Sequence, residues 1–182
     1  MKFMNAINRL IRAIQVKLMS NQQYIEHLRA KGVSIGSGCD IHKSADFGSE
    51  PFLIKIGNHT RITKGVQFIT HDGGLWTLRN LGLVGKKDVK YGRIVIGDNV
   101  NIGWNVILMP NVTIGNNCVI GAGALVTKNV PDNTVWGGVP ARQIETIEEY
   151  ALKVRTETVP TFAMNVAEKK NYLLEHKPEL FL

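Results

Sequence analysis

At 182 residues, with 44% hydrophobic and 20% charged side chains, the chain has the size and balance of one domain with a real core and short appendages. No stretch approaches the ~20 apolar residues needed to span a bilayer, and two cysteines, Cys39 and Cys118, are too few for a disulfide framework and form no CxxC pair. The net charge of +7 is unevenly spread: residues 1–33 hold six Lys/Arg against Glu26 alone, residues 69–93 hold five against Asp72 and Asp88, residues 94–144 are neutral, and the tail from Glu145 is acidic. No nucleic-acid recognition motif accompanies these basic zones, so they suit an anionic small ligand or an acidic membrane surface better than DNA or RNA.

Residues 1–32 read as an N-terminal helical segment. Phe3, Ile7, Leu10, Ile11, Ile14 and Leu18 recur at helical spacing over residues 3–19, with Lys2, Arg9, Arg12 and Lys17 elsewhere, the pattern of a basic amphipathic helix. Asn5, Asn8, Arg9, Arg12 and Gln15 interrupt its apolar residues and no small-residue cleavage site follows, so it is not a secretory signal, and a cytoplasmic protein is expected. The preferred reading of the apolar stripe is packing onto the first coil of the following fold or onto a neighbouring subunit. The alternative is contact with the inner face of an anionic membrane.

From residue 33 a period of six takes over. Ile35, Ile41 and Phe47 are followed by Ile56, Ile62 and Phe68, then by Ile96, Ile102, Leu108, Ile114, Ile120 and Val126. Four residues after the later members come small or β-branched side chains: Val100, Val106, Val112, Cys118, Ala124 and Val130. A period of six fits neither an α-helix nor a heptad. It fits a short strand plus a turn repeated around a prism, with one aliphatic side chain inward per unit. Glycines such as Gly57, Gly97 and Gly115 are assigned to tight turns, and the pairs Asp98–Asn99 and Asn116–Asn117 to unusual turn dihedrals. Three units make one triangular coil, so twelve predict four coils of a parallel β-helix, an all-β solenoid over residues 33–144.

Two insertions break the phase: three extra residues near Glu50–Pro51, and a long extruded loop, 69–93, that begins ITHDGG. Long interruptions of a compact fold are usually functional. His71 opens this loop. Acyl transfer to a hydroxyl needs a base, and histidine titrates closest to neutral pH, so His71 is the candidate general base. Asp72 is not assigned as its orienting carboxylate, and no other orienter is evident. His27, His42, His59 and His176 are read as solvated, and Cys118 as a core residue rather than a nucleophile. The tail, 145–182, is broken by Pro160 and Pro178 and is predicted helical around 166–176.

The run IGDNVNIGWNVILMPNVTIGNNCVIGAGALVTKNVPDNTVWGGVPAR, residues 96–142, resembles the hexapeptide-repeat acetyltransferases, in particular the galactoside, maltose and nodulation-factor O-acetyltransferases and those of capsule polysaccharides. The resemblance covers about residues 33–144 and implies that the β-helix is left-handed, that the donor is acetyl-CoA and that the enzyme is a homotrimer with active sites between chains. It implies that His71 is the base, that the backbone N–H of Trp104 after Gly103 meets the oxyanion, and that Gly121, Ala122 and Gly123 let the pantetheine approach. Thr127, Lys128 and Arg142 correspond to positions near the nucleotide phosphates. The expected acceptor is a carbohydrate hydroxyl in a glycan or glycan precursor, with N-acetylation of an amino sugar as the alternative. About 30 residues before the repeats are too few for the helical domain of serine acetyltransferases. A γ-class carbonic anhydrase needs three histidines on zinc, whereas only His59 and His71 lie near one another in sequence here, so no metal is expected. A non-catalytic scaffold is disfavoured by the loop histidine and the VTK and GVPAR patterns.

Overall fold

The computed structural model describes residues 14–181 and divides after Glu148 into two compact units. In the first unit, successive short strands pass to each of three sheets in turn. The first sheet contains β1 (Ser34–Ile35), β3 (Ile54–Ile56), β6 (Ile94–Ile96) and β9 (Thr113–Ile114). The second contains β2 (Asp40–Ile41), β4 (Arg61–Ile62), β7 (Asn101–Ile102), β10 (Val119–Ile120) and β12 (Thr134–Gly137), and β13 (Arg142–Thr146) closes it antiparallel. The third contains β5 (Gln67–Phe68), β8 (Ile107–Leu108) and β11 (Leu125–Val126), and Asp46 bridges to Gln67 below it. The result is a three-sided parallel solenoid of four coils, with β12 opening a fifth pass.

The register stacks the periodic aliphatics. Ile35, Ile56, Ile96 and Ile114 form one ladder, Ile41, Ile62, Ile102 and Ile120 a second, and Phe68, Leu108 and Val126 a third. Phe47 continues the third ladder by stacking on Phe68 at 4.7 Å between ring centroids. These side chains are buried, and full burial of an aliphatic side chain is worth about 1.5–3 kcal/mol.

At the corner between the first and second sheets, hydrogen bonds run from coil to coil. The N–H of Ser37 donates to Asn58 Oδ1 (2.9 Å), that of Asn58 to Asp98 Oδ1 (2.6 Å), that of Asp98 to Asn116 Oδ1 (2.8 Å) and that of Asn116 to Asp132 Oδ1 (2.8 Å). The next residues, Asn99, Asn117 and Asn133, have positive φ, and their side-chain amides form a second ladder: Asn99 donates to Asn117 (3.0 Å) and Asn117 to Asn133 (2.8 Å). Only the second residue of each Asp/Asn–Asn pair therefore takes the left-handed conformation; the first supplies the acceptor. The glycine before the pair is needed for space rather than for its dihedrals. A Cβ on Gly97 would sit 2.6 Å from Asn116 Oδ1 and 2.8 Å from the Gly115 carbonyl oxygen.

All-β describes the solenoid strands and not the whole chain. Helix α1 (Asn21–Ala30), capped by a Ser20–Gln23 box, places Tyr24, Ile25 and Leu28 in the core and covers the first coil. This is the role expected of residues 3–19, of which 3–13 lie outside the described residues. Residues 14–18 are helical; Val16 and Met19 pack against the core, while Ile14 and Leu18 are exposed. A six-residue helix α2 (Leu75–Asn80) lies in the extruded loop. Helix α3 (Ile147–Arg155) spans the division between units. In the second unit, helix α4 (Val166–His176) starts at an Asn165–Glu168 capping box, in the stretch where the tail is predicted helical.

Gly97→Ala is expected to lower stability by about 1–3 kcal/mol through overpacking. Gly73→Ala, where a Cβ meets nothing within 4 Å, should stay within about 0.5 kcal/mol of the parent. Thermal unfolding of the two variants checks the space argument, which is wrong if they melt together.

Candidate active site

The extruded loop leaves the solenoid at the corner between the third and first sheets, after β5, and rejoins it before β6. A short antiparallel ribbon pins its base. The Gly92 N–H donates to the Thr70 carbonyl (2.8 Å), His71 bridges to Tyr91, and the Asp72 N–H donates to the Lys90 carbonyl (2.9 Å). Farther out, Leu75 is buried and the Arg79 Nε–H donates to the Asp88 carbonyl (2.8 Å). His71 thus stands on a braced hairpin stem.

Its partner is Glu50. The three-residue insertion, which forms a 3-10 turn over Pro51–Leu53, brings Glu50 Oε2 to 2.9 Å from His71 Nδ1 and 2.6 Å from the Thr70 hydroxyl. Hydrogen bonds from Thr70, then His71, then Ser49, together with the charge of His71, hold the Glu50 carboxyl down at about 2. At neutral pH Glu50 is therefore an anion with no proton to give, and His71 Nδ1 has to be the donor. In the tautomer with its proton on Nδ1 the lone pair is on Nε2, the form a general base requires. The Glu50 side chain is 15% exposed and that of His71 45%, so the orienting end is sheltered and the ring reaches solvent. Asp72 faces the loop, where it accepts from the Gly74 N–H (2.9 Å) and lies 3.6 Å from Lys90 Nζ.

His71 opens onto a cleft of about 320 Å³ that also touches Asp72, Lys90, Met109, Asn111 and Thr127. Met109–Asn111 and Thr127 occupy the same prism corner one and two coils farther on, so the cleft runs along an edge for about 10 Å at the usual strand spacing. Thr127 therefore shares the cleft with His71, while Lys128 and Arg142 do not line it. Arg142 lies exposed in β13, its Nη1 donating to its own neighbour's carbonyl, Ala141 O (2.8 Å).

The remaining predicted residues occupy another corner, between the second and third sheets. Gly103 and Trp104 follow β7, and Gly121, Ala122 and Gly123 follow β10 directly above them, with the Gly123 N–H donating to the Trp104 carbonyl (2.7 Å). A Cβ on Gly103 would lie 2.6 Å from the Ala122 nitrogen. Among the described residues no protein group accepts from the Trp104 N–H. The indole is 58% exposed, and Lys64 Nζ sits 5.6 Å from the centre of one of its rings. One chain therefore does not bring His71 and Trp104 together. His59 stands at the third corner, apart from His71, and no group of three His, Cys, Asp or Glu side chains suited to a metal occurs among the described residues.

A three-sided solenoid with a carboxylate-paired histidine beside an edge cleft has the parts of an acid–base site, and the comparisons with known proteins give its family. The family described as bacterial transferase hexapeptide (six repeats) matches residues 93–128. Protein CapG of Staphylococcus aureus is 46% identical over 165 residues, covering 87% of this chain and 92% of that protein. A galactoside O-acetyltransferase of Lactococcus lactis is 32% identical over 147 residues, covering 69% of each. The crystal structure of a maltose O-acetyltransferase from Clostridium difficile superposes with a TM-score of 0.51 at 27% identity, covering 80% of this chain and 84% of that one. The chain belongs to the hexapeptide-repeat acetyltransferases.

Glu50 as the partner of the candidate base His71 was not foreseen; its signal in the sequence is the short break in the six-residue phase at Glu50–Pro51. Glu50→Gln should lower kcat by about one to two orders of magnitude, less than loss of the base itself, while leaving KM for acetyl-CoA unchanged. Because the folded-state value of Glu50 is depressed, its contribution to stability is complete above its ordinary value of 4.5 and is lost as pH falls toward 2. The melting-temperature gap between parent and E50Q should close over that window, and a gap independent of pH contradicts the assignment.

Proposed function

We propose that this enzyme transfers the acetyl group of acetyl-CoA directly to a sugar hydroxyl in a glycan or glycan precursor. The observation that carries the mechanism is the Glu50–His71 pair, which leaves Nε2 free at the cleft. His71 Nε2 takes the hydroxyl proton as the sugar oxygen attacks the thioester carbonyl. The tetrahedral oxyanion is met by the Trp104 N–H; as it collapses, the carbon–sulfur bond breaks and the CoA sulfur leaves, receiving the proton from the His71 imidazolium. No covalent acetyl-enzyme intervenes. The sugar acceptor is supported by the names of two relatives, the galactoside and maltose O-acetyltransferases.

The same reading makes the enzyme a homotrimer wound as left-handed β-helices. His71 and Trp104 stand at different corners of one prism, and side-by-side packing of three prisms lets the His71 corner of one chain face the Trp104 corner of the next. Gly103 and Gly121–Gly123 then flank the pantetheine across the interface, Thr127 lies along the cleft, and Lys128 and Arg142 serve the nucleotide phosphates.

His71→Ala should lower turnover of acetyl-CoA with sugar acceptors by about 10²–10⁴ with the fold retained. Release of free CoA thiol across a panel of sugars, amino sugars and serine measures it, and near-parental activity sinks the assignment. Ala122→Arg, on the exposed Trp104 corner, should also be inactive. Mixed trimers of the two variants should regain activity, because one interface in each pairs an intact His71 corner with an intact Trp104 corner. Absence of recovery in mixed trimers rules out a shared site.

A further inference from the structure

The N-terminal base of the solenoid carries a cation-lined cavity that the acetyl-transfer site does not use. It has a volume of about 670 Å³ and is walled by the helical stretch 14–18, by α1 and by the first coil, with Lys17, His27, Lys31 and Lys43 around Val16 and Met19. A second cavity of about 520 Å³ shares Lys17 and Lys43. No acidic residue lines the larger one; Asp40, which lines the second, is paired with Arg61 (3.1 Å), and Glu26 of α1 with Arg29 (2.7 Å). The sequence holds no Asp or Glu before Glu26. None of the ion pairs among the described residues involves Lys17, Lys31 or Lys43. Lys43 donates to the carbonyls of Lys17 and Met19, which anchors the helical stretch without neutralising the charge. Burial first, and then the charge of Lys31, hold the His27 imidazole below its usual value, so it adds no compensating charge of either sign at neutral pH.

Beside this uncompensated charge, Ile14 is 49% and Leu18 80% exposed on the same helical stretch whose Val16 and Met19 pack inward. Free anions in water do not call for exposed aliphatics at the rim of their site. A cationic hollow edged by apolar side chains matches a bilayer surface, where phosphates meet the ammonium groups and the aliphatics enter the acyl boundary.

We propose that this base is a docking surface for anionic phospholipid, with headgroup phosphate held by Lys17, Lys31 and Lys43 and with Ile14 and Leu18 inserted beside it. The surface lies apart from the Glu50–His71 cleft, so docking and acetyl transfer are separable. Each basic residue near an anionic leaflet is worth about five-fold in partitioning.

The test is co-sedimentation of the full chain with vesicles of phosphatidylglycerol mixed into phosphatidylcholine, against phosphatidylcholine alone. The parent should pellet only with the anionic vesicles and release as salt rises. K17Q/K31Q should weaken that partitioning roughly 25-fold, and L18S should weaken it with the charges intact. Both variants should keep the parent's melting temperature and its activity on a soluble sugar, since Lys17, Lys31 and Leu18 are exposed. Equal pelleting with both vesicles, or K17Q/K31Q binding like the parent, overturns the proposal; the latter places the contact elsewhere in the chain. Displacement by glycerol phosphate at matched phosphate concentration also overturns it, in favour of a soluble anion. A chain inactive toward every acceptor that still docks defeats only the functional reading.

Discussion

The spacing between coils is the constraint on which the rest of this structure depends. Each coil must lie close enough to the next for backbone and corner side chains to bond, and at the Asn58–Asp98–Asn116–Asp132 corner that leaves no room for a Cβ on the preceding glycine. Inside, the same spacing brings Ile62 onto Ile102 and Ile102 onto Ile120, so close backbone approach and aliphatic stacking are satisfied together. Where a buried corner position is polar, it is used: the Cys39 thiol donates to Gly57 O, the Thr60 hydroxyl to Gly97 O and the Cys118 thiol to Pro131 O. Each bonds a carbonyl of the coil stacked on it, and the Pro131 carbonyl also accepts from the Thr134 hydroxyl (2.7 Å).

The candidate site is grafted onto that stack by two departures from it. The short insertion at Glu50–Pro51 and the extruded loop both leave the solenoid near one corner, and each contributes one half of the Glu50–His71 pair. Neither insertion alone orients a base. Thr70 ties them together by sharing Glu50 Oε2 with His71, so the carboxylate is held from the strand side as well as from the loop.

The core was legible in the sequence because a period of six allows one arrangement in which all twelve periodic residues, ten aliphatic and two phenylalanines, are buried from Ile35 to Val126. His71 stands out as the candidate base because histidine chemistry coincides with the start of a phase break. Glu50 was not, because a carboxylate twenty-one residues away reveals its partner only when the third-sheet strand is placed beside it. The reason for Gly57, Gly97 and Gly115 was also misread, since a close approach by a neighbouring coil and a tight turn leave the same residue in the sequence. At the N-terminal end, the basic stripe of residues 3–19 outshone the shorter apolar face of Tyr24, Ile25 and Leu28, which covers the coil.

The corner ladder has a direction. Every coil from the first to the fourth sends this N–H upward, so each depends on the acceptor supplied by the coil after it. Stability in such a stack is a sum of coil and neighbour terms, and opening begins at the ends. Amide exchange should accordingly be fastest in the outer coils and slowest around β4 and β7, in the two middle coils. The stem that carries His71 springs from the coil containing β4, so the candidate site is rooted in the part of the solenoid that end fraying reaches last.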